Sequence, residues 1–195
     1  MLANNYPYFT KDELLFIEKK HGHIAKNRIL DYETMLKSLM PQSKSKQLMK
    51  INFYLNQLPT KIDIIDNKRA DYWETPKEFL TYGSGDCEDY AIIKYFTLLK
   101  LGFSKDKLFM TTAYEKYSGQ YHMILSYFET LNKPPLVLDN LSFEILDLRK
   151  RVDLKPVKFI NPTGTYKLDE DNHLVKIAEE HPKFNELLQR VEREG

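Results

Sequence analysis

The segment GSGDCEDY, residues 83–90, holds the only cysteine of the 195-residue chain. Its glycines, Gly83 and Gly85, favour a tight turn that exposes the start of a following helix. A thiol in the first turn of that helix lies near unpaired backbone N–H groups and the positive end of the helix dipole, and both favour the thiolate. Cys87 is therefore a candidate nucleophile.

The alternative for a lone cysteine is a small buried hydrophobic residue, which is the commoner role of this residue type. The neighbours oppose that role, because burying Asp86, Glu88 and Asp89 beside the thiol would be costly. Apolar residues over 87–101 fall around almost the whole helical wheel. This pattern predicts a central, buried helix that carries a partly exposed thiol at its tip.

A thiol nucleophile needs a base within hydrogen-bonding reach, and the base needs a third group that orients it. Four of the five histidines lie in or beside polar helix ends and are expected to be solvated: His21, His23, His173 and His181. His122 alone lies inside a predicted strand, where alternation places it on one face with Ile124 and Ser126. Its alternative role is that of a structural strand histidine.

Asp139 is the candidate third group, because it ends an apolar strand in which an unpaired charge would be costly. Its strand is expected to pair antiparallel with the strand of His122. In the register that sets His122 directly opposite Asp139, the carboxylate can hold the imidazole in one tautomer. That register is an assumption, since a slip of one residue would separate the two side chains onto opposite faces. The alternative for Asp139 is to begin a turn.

The rest of the chain predicts an α+β protein with a helical N-terminal layer packed on an antiparallel sheet. Spacing and capping signals predict helices over residues 11–21, about 27–39, about 43–58, 76–82 and 87–101. A polar loop is expected over 59–71. Strands are predicted over 107–115, 121–128, 135–140, 156–161 and 165–168, with a hairpin turn at Ser118-Gly119. Helical periodicity returns from about Asn172, and residues 183–195 are expected to fray.

Length and composition fit one domain over residues 1–195. Lys and Arg total 29 against 28 Asp and Glu, so no net field points toward nucleic acid. No segment approaches the ~20 apolar residues of a membrane span, and residues 1–20 hold no unbroken apolar run of signal-peptide length. We expect neither a nucleic-acid partner nor membrane insertion.

Several segments together resemble the bacterial transglutaminase-like cysteine proteinases of the LapG type, over roughly residues 20–168. They are DYWETPKEFL at 71–80, GDCEDYA at 85–91, KYF at 94–96, HM at 122–123, LVLDNL at 136–141 and RVDLKP at 151–156. The resemblance implies a papain-like or transglutaminase-like fold with a Cys-His-Asp triad. In that triad Cys87 is the nucleophile, His122 the general base and later acid, and Asp139 the orienting carboxylate. Residues 169–195 would form a helical extension, for which a structural cap is expected.

The resemblance also implies dependence on Ca²⁺ through acidic residues that flank the cysteine. Here these are Asp86, Glu88 and Asp89, of which Asp86 and Glu88 match best. Carboxylates beside a thiol oppose its ionisation, and a bound cation would reverse that effect. The residues alone favour another interpretation, in which the acids only complement a helix N-terminus and contribute a few tenths to ~1 kcal/mol each.

The implied activity is a calcium-dependent cysteine endopeptidase. Its implied substrate is the N-terminal region of a large cell-surface adhesin, cut at a small-residue Ala/Gly site, which releases the adhesin from the outer membrane and controls biofilm attachment. The implied partner is an inner-membrane cyclic di-GMP receptor of the LapD type that sequesters the protease, and the implied location is the periplasm. Two alternatives stay open: a transglutaminase-type acyl transferase, and a non-enzymatic calcium-controlled binding module.

Overall fold

The computed structural model describes residues 6–60 and 72–195. The polar loop predicted over 59–71 lies outside the described residues from residue 61 onward. In the described part, helices pack against one face of a single antiparallel sheet, so the predicted α+β class is confirmed.

The helices predicted ahead of the cysteine are all present. They are α1 (Lys11–His21), α2 (His23–Leu39), α3 (Lys44–Leu55) and α4 (Pro76–Tyr82). The predicted capping box at α4 forms, because the Thr75 hydroxyl accepts the Glu78 N–H and the Glu78 carboxylate accepts the Thr75 N–H at 2.8 Å. The helix ends at Gly83, whose φ of 74° is left-handed and suits glycine. This stop turns the chain toward the cysteine.

The central helix α5 (Cys87–Lys100) begins at the cysteine, as predicted. A second capping box fixes its start: Asp86 accepts the Asp89 N–H, and Asp89 accepts the Asp86 N–H at 3.2 Å. Every residue from Asp89 to Leu98 is buried. The helix contacts α3 and α4 on one side and the sheet on the other, so the whole fold surrounds it.

Seven strands lie in the described part of the chain: β1 (Leu108–Glu115), β2 (Gln120–Tyr127), β3 (Leu136–Asp139), β4 (Ser142–Asp147), β5 (Leu154–Asn161), β6 (Gly164–Leu168) and β7 (Leu174–Ala178). They form one sheet in the order β4-β3-β2-β1-β5-β6-β7, and neighbouring strands are antiparallel. The five predicted strands and the hairpin between β1 and β2 are confirmed. Strands β4 and β7 were not predicted.

The register assumed between β2 and β3 is wrong by two residues. Leu125 pairs with Leu138, and the next step of that ladder sets Asp139 opposite Ile124 instead of His122. A shift of two keeps side chains on the same face, because alternation along a strand has a period of two. His122 and Asp139 are therefore diagonal neighbours, a separation that long side chains still span.

The prediction for the C-terminal segment is partly wrong. Residues Leu174–Ala178 pair with β6 as the edge strand β7, although helical periodicity was expected there. The segment expected to fray is the helix α6 (Pro182–Glu194), which buries Phe184, Leu187 and Val191. Phe184 packs edge-on against Tyr95 of α5, with ring centroids 5.6 Å apart. The apolar stripe of this charged helix therefore secures it to the core.

We predict that α6 is an integral part of the fold. Leu187→Ala removes a fully buried side chain and should lower the free energy of unfolding by about 2–5 kcal/mol. The control Glu186→Ala changes an exposed residue of the same helix, and its effect should stay within about 0.5 kcal/mol. Denaturant unfolding measures both, and equal stabilities of the two variants would show that α6 is not packed as described.

Candidate active site

Cys87 is the first residue of α5 and is half-buried. The backbone N–H of Met123 in β2 donates to its sulfur at 3.3 Å. The thiol in turn donates to Oε2 of Glu88 at 3.2 Å. The sulfur thus lies between the tip of the central helix and the strand that carries His122.

The environment of the sulfur favours the neutral thiol. Burial raises the pKa of Cys87 well above its ordinary value, and the negative charge of Glu88 raises it further. The Met123 N–H lowers the pKa, but by less than these two effects raise it. Burial and Glu88 therefore oppose the thiolate that the helix N-terminus was expected to favour.

His122 and Asp139 form a buried pair. Nε2 of the imidazole lies 2.7 Å from Oδ1 of the carboxylate, which also accepts the Leu141 N–H at 3.0 Å. Its other oxygen accepts Nη2 of Arg151 at 2.7 Å. Burial would raise the pKa of Asp139, but the bonds and charge from His122, Leu141 and Arg151 outweigh it and lower the pKa. The carboxylate is thus ionised, and it fixes the orientation of the imidazole.

Cys87 and His122 line the same pocket, which has a volume of about 350 Å³. Because Nε2 of His122 faces Asp139, Nδ1 is the ring nitrogen left for a proton exchanged within the pocket. The structure thus brings the predicted nucleophile and base to one cavity, with the predicted carboxylate behind the base.

A larger cavity of about 520 Å³ lies between α1 and α4. It contains aromatic residues and carboxylates but not the cysteine. The smaller pocket is therefore the candidate active site, because it holds the residues whose chemistry the sequence indicates.

The C-terminal segment supplies one wall of the active-site pocket, which sequence analysis missed. His181 stacks on Trp73 with ring centroids 5.8 Å apart, and Nζ of Lys183 lies 4.9 Å from the Trp73 ring centroid. All three residues line the pocket. The prediction that His181 is solvated is wrong: it is half-buried, and burial together with Lys158 and Lys183 lowers its pKa.

Arg151 was also missed, although its segment RVDLKP was noted. Its guanidinium joins Asp139 to Asp153, with Nη2 at 2.6 Å from Oδ2 of Asp153. A carboxylate buried in an apolar strand indicates that some partner must pair with it, but the sequence does not indicate which residue that partner is.

The three acidic residues proposed as metal ligands contact different partners. Oδ1 of Asp89 accepts the Glu74 N–H at 2.7 Å and Oδ2 accepts the Asp86 N–H, while Asp86 caps α5. Burial and the charge of Glu74 raise the pKa of Asp89 to about 7. Glu88 accepts a hydrogen bond from the thiol of Cys87. Within residues 6–60 and 72–195, no group of three or more His, Cys, Asp or Glu side chains is arranged to hold a metal ion.

We predict that the charge of Glu88 restrains the thiol. In excess chelator at pH 8, Glu88→Gln should raise the rate of Cys87 alkylation about threefold to tenfold, because removing a negative charge lowers the pKa of the thiol. Iodoacetamide incorporation reports this site alone, since the chain has no other cysteine. The control is Glu144→Gln, at an exposed position. Equal rates in both variants would contradict the assignment.

The chain is similar to known proteins in both sequence and structure. A family model described as bacterial transglutaminase-like cysteine proteinase matches residues 25–159. The calcium-bound structure of Legionella pneumophila LapG is 33% identical, covers 93% of this chain and 99% of its own, and superposes with a TM-score of 0.78. The EGTA-treated LapG structure is also 33% identical, with coverages of 95% and 99% and a TM-score of 0.80.

No curated protein matches the chain. The family model spans most of the chain, including the cysteine, the histidine and the carboxylate described above. The similarity to LapG extends over nearly the full length of both chains. The chain therefore belongs to the bacterial transglutaminase-like cysteine proteinases and has the fold of LapG.

Proposed function

We propose that this cysteine proteinase is a calcium-dependent endopeptidase whose triad is Cys87, His122 and Asp139. One observation carries the proposal. His122 is held at 2.7 Å by a buried carboxylate, and it lines the same pocket as the chain's only thiol. A nucleophile, a base and a group that orients the base are the parts that acyl transfer requires.

The geometry supports the following sequence of proton transfers. Asp139 accepts a hydrogen bond from Nε2–H of His122, so Nδ1 is unprotonated and serves as the base. Nδ1 takes the proton of Cys87 as the sulfur attacks a peptide carbonyl, and the resulting imidazolium protonates the leaving amine. Water then adds to the thioester with His122 again as base, which releases the acid and restores the thiol.

The developing negative charge on the carbonyl oxygen needs preorganised donors. Cys87 is the first residue of α5, and N–H groups of a first helical turn have no acceptor within the helix. We assign the Cys87 N–H as one such donor. The helix dipole adds a favourable potential at the same point.

Glu88 fits a calcium ion beside the nucleophile better than Asp89 does, and Asp86 is proposed with it because these two residues match the family pattern best. Both oxygens of Asp89 already accept backbone N–H groups, whereas Glu88 is bonded only to the thiol among the contacts described above. Calcium prefers carboxylate oxygens and takes six to eight ligands, so backbone oxygens or water would complete the set. Calcium bound there would offset the charge of Glu88, which otherwise raises the pKa of Cys87.

The proposed substrate is the N-terminal region of a large surface adhesin, cut at a small-residue site and thereby released from the outer membrane. A pocket of about 350 Å³ admits a short extended segment, and small side chains would let its carbonyl approach the half-buried sulfur. We also propose a periplasmic location and sequestration by an inner-membrane cyclic di-GMP receptor. Both rest on family membership and the similarity to LapG. Within the described residues, no helix has the length and apolarity needed to cross a bilayer.

Replacing the nucleophile tests the triad. Cys87→Ala should abolish cleavage of a purified adhesin N-terminal fragment, because the sulfur forms the covalent intermediate. Gel electrophoresis and mass spectrometry of the products measure the outcome, and circular dichroism verifies folding. Cleavage by the folded variant at the wild-type rate would contradict the assignment of the triad.

Addition of a primary amine separates hydrolysis from acyl transfer, since a transferase would attach the amine to the new C-terminus.

Removal of calcium tests the metal. Excess EGTA should reduce cleavage by about tenfold or more, and added Ca²⁺ should restore it, because the cation offsets the acidic residues beside the thiol. Asp86→Asn should require a higher Ca²⁺ concentration for half-maximal rate. The exposed control Glu144→Gln should keep the wild-type response. Undiminished cleavage in EGTA would exclude calcium from the mechanism.

A further inference from the structure

Lys94 lies two turns after the nucleophile on α5 and has no part in the proton transfers proposed above. Its side chain is fully buried, and Nζ donates to Oδ1 of Asn52 in α3 at 2.8 Å. A buried ammonium group is costly unless it is well paired. A lysine is therefore unexpected at this buried position unless its contacts serve a purpose.

Asn52 connects Lys94 to the turn that follows Asp139. The amide Nδ2 of Asn52, itself fully buried, donates to the carbonyl oxygens of Ser142 at 2.8 Å and of Phe143 at 3.2 Å. At the C-cap of α3, four residues later, Nδ2 of Asn56 donates to the carbonyl oxygens of Asp139 at 2.7 Å and of Ser142 at 2.9 Å. Two asparagines of one helix thus hold the backbone on both sides of the β3–β4 turn.

Lys94 and the carbonyls of the turn hold the Asn52 amide in the same orientation. An amide can present either its oxygen or its NH₂ group to a neighbour. The ammonium group can only donate, so it takes the oxygen and leaves the NH₂ group for the turn. Without Lys94, the buried Oδ1 of Asn52 would lose its donor, and the carbonyls of Ser142 and Phe143 alone would hold the amide, so the turn would be less firmly anchored.

The same lysine is electrostatically linked to the triad. Burial lowers the pKa of Lys94 to about 7, and the charge of Asp139 opposes that shift. The other side chains that face Asp139 are His122 on β2 and Arg151 before β5. Helix α5 therefore carries the nucleophile in its first turn. About 10 Å further along its axis it carries Lys94, which contacts Asn52 and through it the turn that follows Asp139.

We propose that Lys94, Asn52 and Asn56 are positioning residues, which fix the β3–β4 turn so that the Asp139 carboxylate meets His122. The proposal rests on the triad of the proposed function and adds how its third member is held. Stabilisation of the fold alone would not account for the lysine, because replacing a buried charge by an apolar group of similar volume is often neutral or stabilising.

The test compares Lys94→Met and Asn52→Ala with the wild type on a peptide substrate. Each variant should lower kcat by about tenfold or more and leave KM within about twofold, because the substrate contacts none of these side chains. The ¹H resonance of the His122 Nε2–H, identified by its loss in His122→Gln, should be broadened by exchange with water in both variants. Asn56→Ser serves as a third variant at a partly exposed position if either of the others fails to fold.

Thr97→Val is the matched control. Thr97 lies on α5 one turn beyond Lys94 and makes a buried 2.7 Å hydrogen bond to Tyr32 of α2. Its replacement removes a comparable buried bond without touching the turn, so kcat and the His122 resonance should be retained. Wild-type kcat and a sharp resonance in folded Lys94→Met or Asn52→Ala would overturn the positioning role. The resonance needs no substrate, so this result is independent of whether Cys87→Ala abolishes cleavage.

Discussion

The site depends on keeping one carboxylate ionised although its side chain is closed to solvent. Asp139 is fully buried, and its two oxygens contact His122, the Leu141 N–H and Arg151. A buried anion with fewer donors would take up a proton instead. The surrounding elements are therefore constrained jointly, since β2 supplies the imidazole, the segment before β5 supplies the guanidinium, and α3 holds the backbone through Asn56.

The nucleophile experiences opposing electrostatic effects. The start of a helix favours a thiolate, whereas burial and Glu88 favour the thiol. Asp86 and Asp89 use their carboxylates to close the first turn of α5, and the charge of Asp86 also raises the pKa of the thiol. The neutral thiol is therefore favoured, and transfer of its proton to His122 in the proposed mechanism would work against this preference.

Local signals in the sequence were sufficient wherever neighbouring residues determine the structure. Thr75 and Glu78 form a capping box within one turn, and Asp86 and Asp89 form another at the start of α5. Which distant segments pair, and in which register, could not be predicted from neighbouring residues. The β2–β3 register depends on how whole strands pack, and β7 exists because β6 offers it an edge. Arg151, His181 and Lys183 reach the site only through the fold, so spacing could not reveal them, whereas the alternation around His122 could.

The stack of His181 on Trp73 divides the pocket between two parts of the chain. One wall is formed by α5, β1 and β2, which carry Cys87 and His122. The other is formed by the C-terminal segment, which Arg190 anchors by donating to the Trp73 carbonyl at 2.6 Å. Substitutions in the tail can therefore reshape what the cleft accepts while leaving the reaction chemistry intact. Selectivity and catalytic power are in this respect separable traits of a single chain.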